Sequence, residues 1–297
     1  MKIGIAGTGR MGTAIGMRLV GLGHDLTVWN RSEDKTIPLA DIGARVAASP
    51  AALADACDIV ITILTNAAAI DAVYAGAEGL LAVNGDGKLY IEMSTVRPAT
   101  EQSLADKVRA AGAAFIDCPV GGSIKAAAAG TLLGLAGGSA PDVARARPVL
   151  ERLCRRVEHI GTIGAGATIK LAMNLTTQVY WQSFGEALSL CEPLGLSVER
   201  LMDLFAESSG APKVFALRRA HMTTALNGDE VQPVNFDIDS VRKDVQTMLE
   251  EGEALGYRLP VASRALECFD EISRAGYGAN DCAMLPALWV QRSRSGK

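Results

Sequence analysis

The sequence predicts two domains: a doubly wound, mostly parallel α/β sheet over residues 1–162, and an all-α domain over residues 163–297 entered by a long helix at 167–194. Three observations predict this. Short apolar runs alternate with helical periodicity through the first half, as a parallel sheet with helices on both faces requires. A glycine-rich turn follows the first of those runs. After Gly166 strand signals largely vanish and helical patterns follow one another to the end.

The first strand is the apolar run 2–6, and Met11, Ile15, Leu19 and Leu22 then mark a helix that Gly23 stops. Asp25–Trp29 is the second strand, followed by a helix near 33–41, a short strand at 44–47 and a helix at 49–56. Ile59-Val60-Ile61-Thr62-Ile63-Leu64 is a strong strand, and further strands are expected at 88–92, 114–117, 131–136 and 156–160, with helices between most of them. The alanine run Ala126–Ala129 is too short to carry meaning by itself. From Ala167 an unbroken pattern carries Ile169, Ala172, Met173, Val179, Tyr180, Phe184, Ala187, Leu188 and Cys191, and Pro193 and Gly195 end it. A helix of that length spans about 40 Å, enough to pass from one domain into the next. Helical patterns resume at 197–208, 212–226, 239–256, 260–275 and 279–291.

The 297 residues, 49% hydrophobic and 21% charged, have the balance of a folded chain with enough length for two cores. A net charge of -4 gives no electrostatic basis for binding nucleic acid or an anionic membrane. The basic residues Arg292, Arg294 and Lys297 read as a frayed, solvated tail. No window reaches the roughly 18 uninterrupted apolar residues of a membrane span, and Arg10 with its neighbouring glycines breaks the signal-peptide look of the start. Cysteines 57, 118, 154, 191, 268 and 282 form no Cys-x-x-Cys and have no histidine at a zinc-ligand spacing. They read as buried thiols of a reducing compartment, so a cytoplasmic protein without a metal is expected. With only His24, His159 and His221 present, a histidine-based catalytic scheme is disfavoured.

Gly7-Thr8-Gly9-Arg10-Met11-Gly12 is a G-x-G-x-x-G between the first strand and first helix, the dinucleotide fingerprint of a Rossmann domain. Gly7 permits the tight turn, Gly9 lets a pyrophosphate approach the backbone, and Gly12 lets the helix lie close on the sheet. The end of the second strand selects the cofactor. An NAD site would place Asp or Glu there, whereas this chain has Asn30-Arg31-Ser32, with Arg31 able to pair with a 2′-phosphate and its neighbours able to donate. NADP is therefore expected, although Glu33 and Asp34 stand nearby, where a helix N-terminus would welcome acid.

Three more segments put polar residues where such a domain carries functional loops: Glu92–Val96, Asp117–Ser123 and Gly161–Asn174. Within the last, Lys170 and Asn174 are four apart on a helix and share a face. A lysine held near apolar surface can exchange a proton with a substrate, although one a turn into a helix is ordinarily solvated.

These landmarks, in order, resemble the β-hydroxyacid dehydrogenase family of 3-hydroxyisobutyrate dehydrogenases, tartronate semialdehyde reductases and glyoxylate/succinic semialdehyde reductases. The resemblance runs the whole length. It includes the glycine fingerprint, Leu64-Thr65-Asn66, Ser94-Thr95, Asp117–Ser123 with Gly130-Thr131-Leu132, Gly161–Asn174, Lys243-Asp244 and Gly278–Asp281. It implies a helical domain like that of 6-phosphogluconate dehydrogenase and a homodimer or homotetramer acting on a small molecule. It also implies that Lys170 is the catalytic lysine and that Asn174 orients substrate beside it. Ser94 and Thr95 would line nicotinamide and substrate, Leu64-Thr65-Asn66 would border the cofactor, and Lys243 would reach towards it. Gly121, Gly122 and Ser123 match the segment that binds the substrate carboxylate. One departure stands there: the family commonly has Ser where this chain has Gly121, which leaves Ser123 as the nearby hydroxyl and the backbone amides as anion donors. Cys118 reads as a packing thiol rather than a nucleophile. Two other readings stay open: an imine reductase, against which the intact Lys170 counts, and a non-catalytic NADP-binding protein on the same fold.

Overall fold

A computed structural model describes residues 1–295. Of the basic tail, Lys297 and the side chain of Arg294 lie outside the described residues. The chain divides into two compact units, Met1–Leu171 and Ala172–Lys297. The division falls inside the long helix, downstream of the boundary near residue 162 expected from the sequence.

In the first unit, strands β1 (Ile3–Ala6), β2 (Leu26–Trp29), β3 (Arg45–Val46), β4 (Ile59–Thr62), β5 (Leu89–Glu92) and β6 (Ala114–Asp117) are parallel, in the order β3-β2-β1-β4-β5-β6. The sheet continues through β8 (Leu132–Gly137), which runs antiparallel to β6 and to the two-residue strand β7 (Val120–Gly121); β9 (Cys154–Gly161) then pairs with β8 in parallel. Buried on both faces, the central strands are almost wholly apolar, which is why they stand out in the sequence. Ile5, Ile61, Ile91 and Ile116 pack on one face with α1 (Arg10–Gly21) and α7 (Ala140–Leu153). Val60, Tyr90 and Phe115 pack on the other with α3 (Pro50–Ala56), α4 (Ala67–Tyr74) and α5 (Pro98–Ala110).

Some expected elements differ. The helix near 33–41 is a 3₁₀ turn, Glu33–Thr36, running into the one-turn helix α2 (Ile37–Ala40). The alanine run is a real helix, α6 (Ile124–Ala129), with Ser123 accepting from the Ala126 amide at its start and Gly130 at φ 69° at its end. Strand β7 was not expected from the sequence at all.

Helix α8 (Ala165–Cys191) opens within the first unit, and its later turns contribute Trp181, Phe184 and Leu188 to the core of the second. Helices α9 (Val198–Ala206), α10 (Lys213–Leu226), α11 (Ile238–Ala254), α12 (Pro260–Ile272) and α13 (Leu285–Ser295) complete that core. Phe184 stands edge-on to both Phe205 and Phe215 at ring separations of 5.1 and 5.4 Å, a favoured aromatic arrangement. Among the described residues no helix is long and apolar enough to cross a membrane.

Candidate active site

The glycine turn between β1 and α1 is shaped from within at two of its three glycines. Gly7 has φ 102°, and a Cβ there would lie 2.3 Å from the Ile63 carbonyl. A Cβ on Gly12 would lie 2.0 Å from the Gly7 carbonyl, so Gly12 allows the helix to close on the turn and the end of β4 rather than on the sheet at large. Gly9 differs: apart from its own chain neighbours, no atom of the described residues comes within 4 Å of its Cβ position. Gly9 is also the N-cap of α1, with no side chain capping it and no acid in the first turn. The bare amides of a helix start, beside open space that a side chain would fill, make an anion site of the kind a pyrophosphate occupies. Thr8 adds a buried hydroxyl with no hydrogen-bond partner among the described residues. Arg10 is exposed, while Met11 packs against the core beneath. The residues present therefore fit a dinucleotide.

At the end of β2 Asn30 is bonded within the protein. Its Oδ1 accepts from the Thr8 amide at 3.0 Å and its Nδ2 donates to the Ser32 carbonyl at 2.9 Å, so both polar ends bind protein and tie the two loops together. A carboxylate there could accept but not donate. Arg31 and Ser32 are exposed, and Arg31 forms no hydrogen bond or ion pair with the described residues.

Ser94, expected to line the substrate, is 2% exposed, and its hydroxyl accepts from the Leu64 amide at 2.7 Å. It braces the loop after β4 against the loop after β5, leaving half-buried Thr95 as the more open residue of the pair. Leu64 packs close to Gly7, Thr65 is exposed, and Asn66 caps α4 by accepting from the Ala69 amide. Ser123 likewise has its oxygen engaged as a helix cap. Gly122, at φ 139°, would bring a Cβ within 2.8 Å of Leu132 Cδ2. At Gly121 a Cβ would meet nothing nearer than 3.7 Å.

Beneath these loops lies a buried acidic cluster that is not among the sequence expectations. Thr62, Glu92 and Asp117 are register partners on the last rung of β4, β5 and β6, so their side chains share one face of the sheet. All three are fully buried, as is Glu101 in the first turn of α5. Glu92 accepts from the Ser94 amide at 2.7 Å and from the Thr62 hydroxyl, which in turn meets the Tyr74 hydroxyl at 2.9 Å. Asp117 accepts from the amides of Gly164 at 2.8 Å and Ala167 at 2.9 Å, at the start of α8. Burial pushes the Glu92 carboxyl up to about 7, against the hydrogen bonds from Ser94 and Thr62 that lower it. Burial likewise raises Asp117 to about 6. Glu101, whose two oxygens find no partner among the described residues, lies well above the usual range through burial and the charges of Glu92 and Asp117. The signal was present in the sequence: two apolar strands, Leu89–Glu92 and Ala114–Asp117, each end on a carboxylate.

Lys170 is half-buried in the second turn of α8. In the second unit, Asn174 Nδ2 donates to Asp244 Oδ2 at 3.4 Å, and Asp244 Oδ1 pairs with Lys243 Nζ at 2.5 Å. Cys118 is fully buried with its thiol well above the usual value through burial, an inert packing thiol as expected; of the six cysteines only Cys191 is partly exposed.

Residues 2–161 match the family model for the NAD-binding domain of 6-phosphogluconate dehydrogenase. Residues 164–288 match that described as NAD-binding of NADP-dependent 3-hydroxyisobutyrate dehydrogenase. The chain is a member of the β-hydroxyacid dehydrogenase family. Arabidopsis thaliana glyoxylate/succinic semialdehyde reductase 1 is 31% identical, over 98% of this chain and 100% of its own length. The crystal structure of 3-hydroxyisobutyrate dehydrogenase from Salmonella typhimurium superposes with a TM-score of 0.86 at 28% identity, covering 97% of this chain and 99% of that one. An imine reductase from Myxococcus stipitatus shares the fold at 22% identity and a TM-score of 0.63, over 96% of this chain and 98% of its own. The chain is thus a β-hydroxyacid dehydrogenase-family member with an NAD(P)-binding domain.

Glu92 gives this dehydrogenase-family domain a pH signature. Its folded pKa, about 7, lies above the ordinary 4.5, so folding favours the protonated carboxyl. That contribution is fully present below about 4.5 and is lost as pH rises through about 7. Glu92→Gln cannot titrate. The melting temperature of the variant minus that of the parent should therefore climb between pH 5 and pH 8 in a thermal-shift series; a constant difference would refute the buried titration.

Proposed function

We propose that the chain is an NADPH-dependent reductase of a small carbonyl acid, with Lys170 as the proton donor. The observation that carries this is the position of Lys170 at the start of a helix whose first turn is held by Asp117, on the last residue of β6. In open α/β sheets ligands bind outside the carboxyl ends of the strands. When bound, the nicotinamide supplies hydride to the carbonyl carbon. Lys170 gives a proton from Nζ to the carbonyl oxygen, and in the oxidative direction its neutral amine takes the hydroxyl proton back. Asn174, one turn along the same helix face, matches the residue that orients substrate in the family, and Thr95 with the backbone amides of Gly122 and Ser123 serves the carboxylate. The relatives named for glyoxylate, succinic semialdehyde and 3-hydroxyisobutyrate support a small carboxylate-bearing substrate.

The preference for NADPH rests on Arg31. Arg31 is exposed and directly follows Asn30, the position where an acid would serve NAD, which is engaged with Thr8 of the glycine turn and with Ser32. Arg31→Ala should raise the KM for NADPH roughly 10–100-fold, the loss of a charge-assisted hydrogen bond or two, and leave that for NADH nearly unchanged. Equal effects on both cofactors would rule out phosphate recognition by Arg31.

The experiment for the reaction is NADPH oxidation, followed spectrophotometrically, across glyoxylate, succinic semialdehyde, tartronate semialdehyde, methylmalonate semialdehyde and cyclic imines. Lys170→Ala should lower kcat on the best carbonyl by about 10²–10⁴-fold with NADPH affinity retained. Turnover of imines alone would overturn the substrate class, and NADPH binding without any turnover would make the chain a binding protein.

The second unit leaves Leu190, Leu194, Leu204 and Leu217 between 55% and 82% exposed. Leucines at that exposure support a homodimer or homotetramer. Sedimentation should give a mass of two or four chains, and a monomer at micromolar concentration would contradict it.

A further inference from the structure

We propose that Asp117 is the positioning residue for Lys170, fixing the rotation and depth of the helix start that carries it. This rests on the reading of Lys170 as proton donor. Helices α3, α4, α6 and α7 are each capped by the residue just before them: Ser49, Asn66, Ser123 and Ser139. Helix α8 is held differently. Its cap comes from β6, with Oδ1 taking the amide of Gly164, just before the helix, and Oδ2 the amide of Ala167, within its first turn. Two bonds from one rigid carboxylate to two points of a turn fix both rotation about the helix axis and translation along it. One bond from a neighbouring hydroxyl fixes neither against the sheet. Lys170 follows Ala167 by three residues, about one turn, so the register set at Ala167 passes directly to it.

The surroundings of the carboxylate are built for this. A Cβ on Gly137 would lie 2.3 Å from Asp117 Oδ1, and one on Gly166 would lie 2.8 Å from Oδ2. Gly137 thus leaves room for the carboxylate, while Gly166, whose Cβ would also lie 2.1 Å from the Leu135 carbonyl, lets the helix start close on both β8 and the carboxylate. A fully buried carboxylate is a costly cap where a serine serves elsewhere in the same unit, and the cost shows in a pKa lifted to about 6. Rigid docking of the lysine to the sheet edge is what this arrangement provides and a local serine would not.

The test is Asp117→Asn, which keeps shape and one acceptor but turns an NH₂ towards an amide donor. Kinetics are read on the best carbonyl substrate, with NADPH affinity measured on the same samples. The expected result is a fall in kcat on the order of 10²-fold, the cost of a misplaced reacting group, with KM and the NADPH Kd changed less than about threefold. Made in the Lys170→Ala background, the same substitution should change the residual rate by less than about twofold, since Asp117 acts through Lys170. An unchanged kcat in Asp117→Asn, or an undiminished loss in the double variant, would overturn the proposal. So would a loss spread equally over kcat, KM and NADPH affinity. If Lys170→Ala leaves no measurable rate, the split between kcat and the two binding constants decides. If Asp117→Asn does not fold, Asp117→Ser, neutral and without a facing donor, takes its place with the same expected split. Retention of full activity by Lys170→Ala would instead defeat the proton-donor reading itself, an outcome distinct from any given by Asp117 alone.

Discussion

Two buried carboxylates at the ends of β5 and β6 oblige the chain to bring hydrogen-bond donors to them, and the donors it brings belong to the loops of the site. A carboxylate left unpaired at that depth would cost several kcal/mol. Glu92 is met by the Ser94 amide and the Thr62 hydroxyl, and Asp117 by the amides of Gly164 and Ala167. Ser94 extends the first of these ties to the Leu64 amide, so the loop after β4 is fixed through the loop after β5. Asn30 does the same work on the other side of β1, between the glycine turn and the loop after β2. The carboxyl edge of the sheet is therefore stitched from beneath by side chains that a bound ligand need never touch.

The same row of residues explains why the site can be stiff without a wholly apolar foundation. Val60, Tyr90 and Phe115 fill the layer one rung lower on that face, and the rung above them changes to Thr62, Glu92 and Asp117. An apolar side chain at Glu92 or Asp117 would pack, but it could not take two donors from two different stretches of backbone. Glu101 sits at the margin of this arrangement. Its carboxyl has no donor among the described residues, and burial with its two acidic neighbours favours the neutral acid, which is far cheaper to bury than a charged one.

The parallel sheet, the order of its elements and the long helix were legible because each is a matter of periodicity, and a strand buried on both faces writes an unbroken apolar run. The dinucleotide turn was legible from three glycines in context. What was missed had signals of another kind. Helix α6 is short and alanine-rich, without an amphipathic stripe; its boundaries are written instead in Ser123 and Gly130, a cap at each end. Ser94, Asn30 and Ser123 were legible as polar residues in functional loops, but residue type alone cannot say whether a hydroxyl or amide faces a ligand or braces a neighbour. That depends on which backbone donor lies opposite, and the donors come from segments 22 and 30 residues away for Asn30 and Ser94. Asp117 and the start of α8 each stand out in the sequence by themselves; the contact joining them spans 47 to 50 residues and no local pattern announces it.

The glycines of the site fall into two kinds, and the difference bears on what the chain can accept. Gly7, Gly12, Gly122, Gly137 and Gly166 are required by the protein itself, because a Cβ at any of them would strike protein atoms at 2.0–2.8 Å. Gly9 and Gly121 are not: the first faces open space, and the second would place its Cβ in ordinary contact with Leu133. At Gly9 the absence of a side chain is accounted for by an approaching phosphate. At Gly121 the backbone would carry a serine, the family's usual residue, without strain, so neither fold nor packing explains its loss. The identity of residue 121 is free to answer to the ligand; with Gly121 paired to Leu133 in the sheet, the proposed site without that hydroxyl would offer an anionic group only the amides that follow it. Under the proposed reaction, specificity among small carbonyl acids would then fall to the rest of the ligand rather than to the carboxylate they share.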